Sequence, residues 1–250
     1  MMSCRYDQKD MKHGQIAGNK HINAFIYHCF EYTCEEDERK FVKRFREQPH
    51  DSDQVMHTFR ELVLGAYLNS SGFRVIHDYA VDAQTPDWCI LDDKSAVIGI
   101  VELASFHIDK ATEREIERQS EARGRASVWR DENKDNADRL YHCIWHKAQA
   151  YRALSKKLRV PYVVAVFGEF EAIVDFEEVA LCLSDEESGL FEMYPELSGV
   201  LYFEESSGRY LFEYARNPNA LQVIDLSSGV FPSKVAPSKS LQPTPSRQAG

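Results

Sequence analysis

The sequence predicts an α/β protein in which one central mixed sheet is flanked by helices, with a helical extension before it and a hairpin near its end. Three observations predict it. Apolar residues recur at three- and four-residue steps from Val55 to Tyr67 and from Leu140 to Leu154, the period of amphipathic helices. Three strand-like runs, 73–80, 87–91 and 96–104, are separated by turn chemistry at Thr85-Pro86 and at Asp92-Asp93-Lys94, which reads as an antiparallel meander. The second helix is followed by the continuous apolar run 161–167, and a helix feeding a buried strand implies crossover to a parallel partner.

Taken in order, residues 1–18 are polar and aperiodic and predict a loose arm. Over 21–46 the positions Phe25, Ile26, Cys29 and Phe30, then Phe41, Val42 and Phe45, keep helical steps and predict one or two helices. Glu35, Glu36, Asp37 and Glu38 precede Lys43, Arg44 and Arg46, an order that suits a helix dipole and reads as a solvated face. Ser52 or Asp53 caps the next helix, and Ser70-Ser71-Gly72 ends it. The segment 109–130, rich in Glu and Arg, predicts an exposed helix, and 131–138 a polar loop, before the helix of 137–158. A short helix over 174–183 follows, then a hairpin formed by 199–203 and 209–214 around Ser206-Ser207-Gly208. Residues 217–231 read as a turn and a packing strand, and 232–250, dominated by Pro, Ser, Lys and Gln, as a disordered tail. The expected divisions are 1–50 as arm and helical extension, 51–231 as the α/β domain and 232–250 as tail.

The composition supports this reading. In 250 residues, 43% are hydrophobic and 12% aromatic, which excludes a disordered or fibrous chain. Lys and Arg number 30 against 40 Asp and Glu, a net charge of −10 that argues against tight nonspecific binding of nucleic acid and leaves room for a local basic groove or a metal-bridged contact. The longest apolar stretch, 160–167, is too short to cross a bilayer, and 1–10 has no signal-peptide core, so a cytoplasmic protein without membrane contact is expected. Six cysteines without CxxC spacing read as reduced, mostly buried thiols.

Acidic residues fall at informative places in the order helix, strand, strand, strand, helix, strand. Glu61 lies mid-helix, Asp87 follows Pro86 at the start of a strand, and Glu102 sits inside an apolar run where an ionised group is costly unless it faces a cleft or a partner. Paired carboxylates on adjacent strands suit Mg²⁺ or Mn²⁺, which take oxygen ligands and keep waters and substrate phosphates in their shell. On Glu61, Pro86-Asp87, Glu102-Leu103-Ala104 and the helix and strand of 140–167, the chain resembles the PD-(D/E)XK nuclease superfamily, with its restriction-endonuclease-like fold, over about 53–167. The family's Glu-x-Lys triplet reads Glu102-Leu103-Ala104 here, and the following helix carries Lys147 four residues before Tyr151, similar to the Gln-x-x-x-Tyr motif of RecB-like members with lysine in the glutamine's place. The resemblance implies a Mg²⁺- or Mn²⁺-dependent hydrolysis of nucleic-acid phosphodiesters. In it Asp87 and Glu102 hold the metal, with the Leu103 carbonyl completing the shell. Glu61 orients the attacking water, Lys147 replaces the missing lysine and stabilises the oxyanion, and Tyr151 contacts a phosphate or base.

Other readings compete. The same fold without activity would serve as a binding or scaffold module, with Asp87 and Glu102 as remnants and Ala104 packed where the lysine would be. An unrelated α/β interaction protein would place the two acids on different faces. His142 and His146, at i and i+4, have zinc spacing without the glutamate of metalloproteases. His21, His28, Cys29 and Cys34 match no common zinc module, and His107 follows the third strand at the rim of the expected cleft. Arg114, Arg118, Arg123, Arg125, Arg130 and Lys134 read as a salt-bridged helix able to cover a nucleic-acid backbone, and the C-terminal hairpin as a surface for a homodimer.

Overall fold

A strand buried on both faces must be apolar on both, and the run after Pro161 meets that demand over its whole length. In the computed structural model, which describes residues 20–47, 52–105, 133–168, 176–184, 189–206 and 208–231, this run is a strand with all seven residues buried. It lies at the middle of a seven-stranded sheet whose spatial order follows the chain. The strands are β1 (Val75–His77), β2 (Trp88–Leu91), β3 (Val97–Ser105), β4 (Tyr162–Gly168), β5 (Leu197–Ser206), β6 (Arg209–Arg216) and β7 (Gly229–Phe231). β4 pairs in parallel with β3 and β5, and the remaining pairs are antiparallel, so the sheet is mixed as expected.

Alternate residues of β4 enter two separate cores. Val163, Ala165 and Phe167 pack with α1 (Lys20–Phe30), α2 (Glu35–Glu47) and α3 (Ser52–Ser70), whereas Tyr162, Val164 and Val166 pack with α4 (Asn133–Ala150), α5 (Arg152–Leu158), α6 (Phe176–Ser184) and α7 (Leu190–Met193). The same parity assigns the strands next to it. Val101 and Leu103 of β3 face the first core with Trp88 and Ile90 of β2, which turns Glu102, between Ile100 and Ala104, toward α4.

α3 is buried from Thr58 to Leu68 because it lies between the sheet and the helices of the extension. Its closest approach to the sheet is at Gly65, where an added Cβ would meet the Trp88 ring at 2.0 Å. An alanine in mid-helix normally stabilises by about 1 kcal/mol. Here the sign reverses, and Gly65→Ala is expected to cost about 1–3 kcal/mol through displacement of the indole, read as a lower urea midpoint.

The helix, strand, strand, strand, helix, strand order from residue 52 onward, the parallel crossover, the helix near 176 and the hairpin are found as the sequence predicts. Several bounds differ. β1 stops at His77 because Asp78 takes a left-handed conformation, φ 50°. The helical extension, expected as one or two helices, is two, parted at Glu31–Cys34. The helix expected over 137–158 starts at Asn133, inside the stretch read as loop, and breaks at Tyr151, φ −113° and ψ 10°. Of 217–231 only Gly229–Phe231 is strand, since Asn217 and Ser198 hold the preceding chain by side-chain hydrogen bonds to carbonyls such as those of Leu197 and Gln222. The hairpin expected to serve a homodimer is built into the sheet, with β4 on one side and β7 on the other. Among the described residues no helix is long and apolar enough to cross a membrane. The arm of 1–18, the helix expected over 109–130 and the tail of 232–250 lie outside the described residues.

Candidate functional site

Trp88 pairs with Val101 across β2 and β3, so the next pair outward sets Asp87 beside Glu102. The two carboxylates are fixed by each other's backbone. The Asp87 N–H donates to Glu102 Oε1 at 2.8 Å, and the Leu103 N–H donates to Asp87 Oδ2 at 2.8 Å. α4 lies over this point on its buried residues Leu140, Ile144 and Ala148, which brings Lys147 to the edge of the contact. Lys147 Nζ donates to Glu102 Oε2 at 2.9 Å and stands 3.8 Å from Asp87 Oδ2.

One buried and one half-buried carboxylate thus share one ammonium. Burial, then the charge of Asp87, pushes the Glu102 carboxyl up to about 7 against the opposing pull of Lys147. Burial also raises Asp87, with Lys147 opposing. For Lys147 burial acts downward, yet the two acids hold its pKa above the ordinary lysine value. Cys89, on the same face as Asp87, is pushed up to about 12 by burial and by Glu102, which leaves it a protonated thiol. The donors facing one another are therefore oxygens and one amine.

Of the sequence candidates, Asp87, Glu102 and Lys147 converge. Tyr151 stands at the break after α4, where its hydroxyl donates to the Thr85 carbonyl at 3.1 Å. Glu61 is near enough for its charge to act on Asp87 and Lys147, but its own oxygens are occupied. Oε2 accepts from Arg44 at 2.7 Å and lies 3.2 Å from His77 Nε2, and Oε1 lies 3.0 Å from His57 Nε2. Arg44 also reaches Asp78 Oδ2 at 2.6 Å, while Lys40 donates to the His77 carbonyl at 2.6 Å and the His77 N–H donates to Asp37 at 3.1 Å. The Trp88 indole N–H donates to the Glu61 carbonyl at 3.1 Å, tying this cluster to the residue after Asp87. Burial would raise the Glu61 pKa, but hydrogen bonds from His57 and His77 outweigh it and hold the carboxyl at about 2.

Arg44, His57, His77 and Asp78 were not singled out from the sequence. The one signal for them is the His57 and Glu61 pair at i and i+4 on the helix. Cys29 is buried in the core and Cys34 exposed, and His28 bonds Glu31, so these residues build no common site. His142 and His146 are exposed and meet Trp145 edge-on. Among the described residues no group of three or more His, Cys, Asp and Glu side chains is placed to hold a metal ion. His107 and Arg114, Arg118, Arg123, Arg125 and Arg130 lie outside the described residues, and Lys134 falls in the first turn of α4.

No family model, curated protein or solved structure matches this chain.

Proposed function

We propose that this protein is a metal-dependent nuclease of the PD-(D/E)XK kind that hydrolyses phosphodiester bonds of nucleic acid. The observation that carries the reading is the meeting of Asp87, Glu102 and Lys147 where β2, β3 and α4 join. The pair fits Mg²⁺ or Mn²⁺. Its donors are carboxylate oxygens, two acids face one ammonium, and burial holds both acids at raised pKa values that a cation would relieve. Asp87 and Glu102 would hold the ion, and two carboxylates are enough because Mg²⁺ keeps waters and substrate phosphate in its remaining positions. When bound, it would supply Lewis-acid charge to the phosphate and lower the pKa of a water.

Lys147 supplies the amine that Ala104 lacks. Its ammonium, already held at the carboxylates, donates to the non-bridging phosphate oxygens and stabilises the charge that grows there during in-line attack. Glu61 contributes through the elements it joins, because Arg44, His57 and His77 occupy its oxygens. The reading places the protein in the cytoplasm, where its free cysteines stay reduced.

A silent scaffold of the same fold is the second reading. Ala104, 1% exposed and packed in the α4 core, favours it, and Lys147 beside the carboxylates counts against it. Titration with Mg²⁺ and Mn²⁺ against single- and double-stranded DNA and RNA separates the two. Cleavage is expected only with metal, falling at least about 10³-fold in Asp87→Ala. No metal-dependent cleavage by clean wild type, or undiminished cleavage by Asp87→Ala, overturns the nuclease reading.

A further inference from the structure

The chain between β1 and β2 does more than connect them. Residues 78–86 turn back on themselves, Val81 and Gln84 exchanging backbone hydrogen bonds of 2.9 and 3.0 Å around Asp82, φ 54°. Three side chains tie this turn to the junction of α4 and α5. Gln84 Nε2 donates to the Ala150 carbonyl at 3.3 Å, the Tyr151 hydroxyl to the Thr85 carbonyl at 3.1 Å, and Lys157 Nζ to Asp82 Oδ2 at 2.6 Å. The end of α4 is held in turn on β4, where the Tyr162 hydroxyl donates to the Lys147 carbonyl at 2.5 Å.

Thr85 and Asp87 flank Pro86, which is buried and whose ring fixes its φ, so a shift at the Thr85 carbonyl is carried into Asp87. The Asp87 N–H, in turn, holds Glu102. Tyr151 therefore closes a ring of contacts: Thr85, Pro86, Asp87, Glu102, Lys147 and back along α4 to itself. The helix break at Tyr151 is what allows this. A continuous helix would keep α4 and α5 on one axis, whereas Tyr151 leaves helical geometry, with its ring 6.1 Å from that of Tyr162.

We propose that Tyr151 and Gln84 are positioning residues of this site, setting Asp87 against Lys147 by clamping the Thr85–Pro86–Asp87 turn to the α4–α5 junction, without touching substrate. This deepens the nuclease reading, and its kinetic consequence rests on that reading; the clamp itself does not. Burial, the charges of Glu102 and Asp87 and a hydrogen bond to the Glu102 side chain keep the phenol protonated and thus a donor, so the hydroxyl that holds Thr85 also reaches Glu102 directly.

The test is Tyr151→Phe, which keeps the ring and removes the hydroxyl, with Gln84→Ala as a second variant. Amide hydrogen exchange is followed at Asp87 and Leu103, whose N–H groups bond the two carboxylates, with Val164 in β4 as reference. Both variants are expected to speed exchange at Asp87 and Leu103 at least about tenfold and to leave Val164 unchanged. In cleavage assays kcat is expected to fall about 10- to 100-fold with KM held within about twofold, as for a displacement of the reacting groups. Unchanged exchange in both variants overturns the clamp, and a raised KM with unchanged kcat makes Tyr151 a substrate contact instead. If wild type cleaves nothing, the nuclease reading falls, while exchange still decides whether the clamp exists.

Discussion

Glu102→Gln is expected to abolish metal-dependent cleavage, by at least about 10³-fold, and to make the protein more stable above pH 7. The two effects have one cause. Glutamine keeps one oxygen, enough for the Asp87 N–H or for Lys147 but not both, sets its NH2 against the other donor and carries no charge for a cation, and loss of a charge contact to the metal is worth several kcal/mol in the transition state. In the folded protein the Glu102 carboxyl titrates near 7, and in the unfolded chain near 4.3. The folded state therefore binds this proton more tightly, and the carboxylate destabilises it progressively as pH rises from about 4.3 to 7. Removing the charge recovers on the order of 1–3 kcal/mol at pH 8 and almost nothing at pH 4, where the group is protonated in the folded state and mostly protonated in the unfolded one. Urea titrations of wild type and variant at pH 4 and pH 8 measure the difference. A variant less stable than wild type at pH 8 would show that Glu102 serves the fold. Gain of stability with loss of activity marks a group kept for chemistry.

The parts of this molecule that were legible in the sequence are those with local signals. The run 161–167 declared a strand covered on both faces, and the Thr85-Pro86 and Asp92-Asp93-Lys94 turns delimited β2 and β3. The pairing of Asp87 with Glu102 could not be read from the parity of their separation. β3 bulges opposite Ile90 and Leu91, with Ile98 left 45% exposed, and an extra residue in one strand reverses the facing of everything beyond it. Lys147 and Tyr151 were legible as a pair on one helix face, but the hydrogen bond of Tyr151 to the β1–β2 turn was not. At the break of α4 the Tyr151 hydroxyl reaches the Thr85 carbonyl, 66 residues earlier, as well as Glu102, while Lys147 stands at both carboxylates. The surroundings of Glu61 were hidden for the same reason, since Arg44 comes from α2 and His77 from the last residue of β1.

That hidden cluster carries the largest expected effect on stability. Glu61 is 3% exposed, and its carboxylate receives Arg44, His57 and His77 at the point where α2, α3 and β1 meet. Glu61→Ala takes one carboxylate from Arg44, His57 and His77 and leaves a cavity, with Asp78 still beside Arg44 and His77, and breaking a buried ion pair from one side costs about 3–5 kcal/mol, which Asp78 offsets in part. Glu61→Gln keeps the shape and one acceptor and should cost less, which separates loss of charge from loss of volume. The pH dependence gives an independent check. The folded pKa, about 2, lies below the unfolded value near 4.3, so the stabilisation by Glu61 is complete above about pH 4.3 and is lost as pH falls toward 2. Wild type should thus lose about 3 kcal/mol over that interval from this group, at 1.36 kcal/mol per pKa unit, and Glu61→Gln should lack that slope. Equal slopes for the two proteins in urea unfolding between pH 5 and pH 2 would mean that the three donors do not hold Glu61 ionised. Because Trp88 bonds the Glu61 carbonyl and Asp87 precedes it, the same variant should also disturb the carboxylate pair, so cleavage by Glu61→Ala is to be compared at a urea-free pH where the variant remains folded.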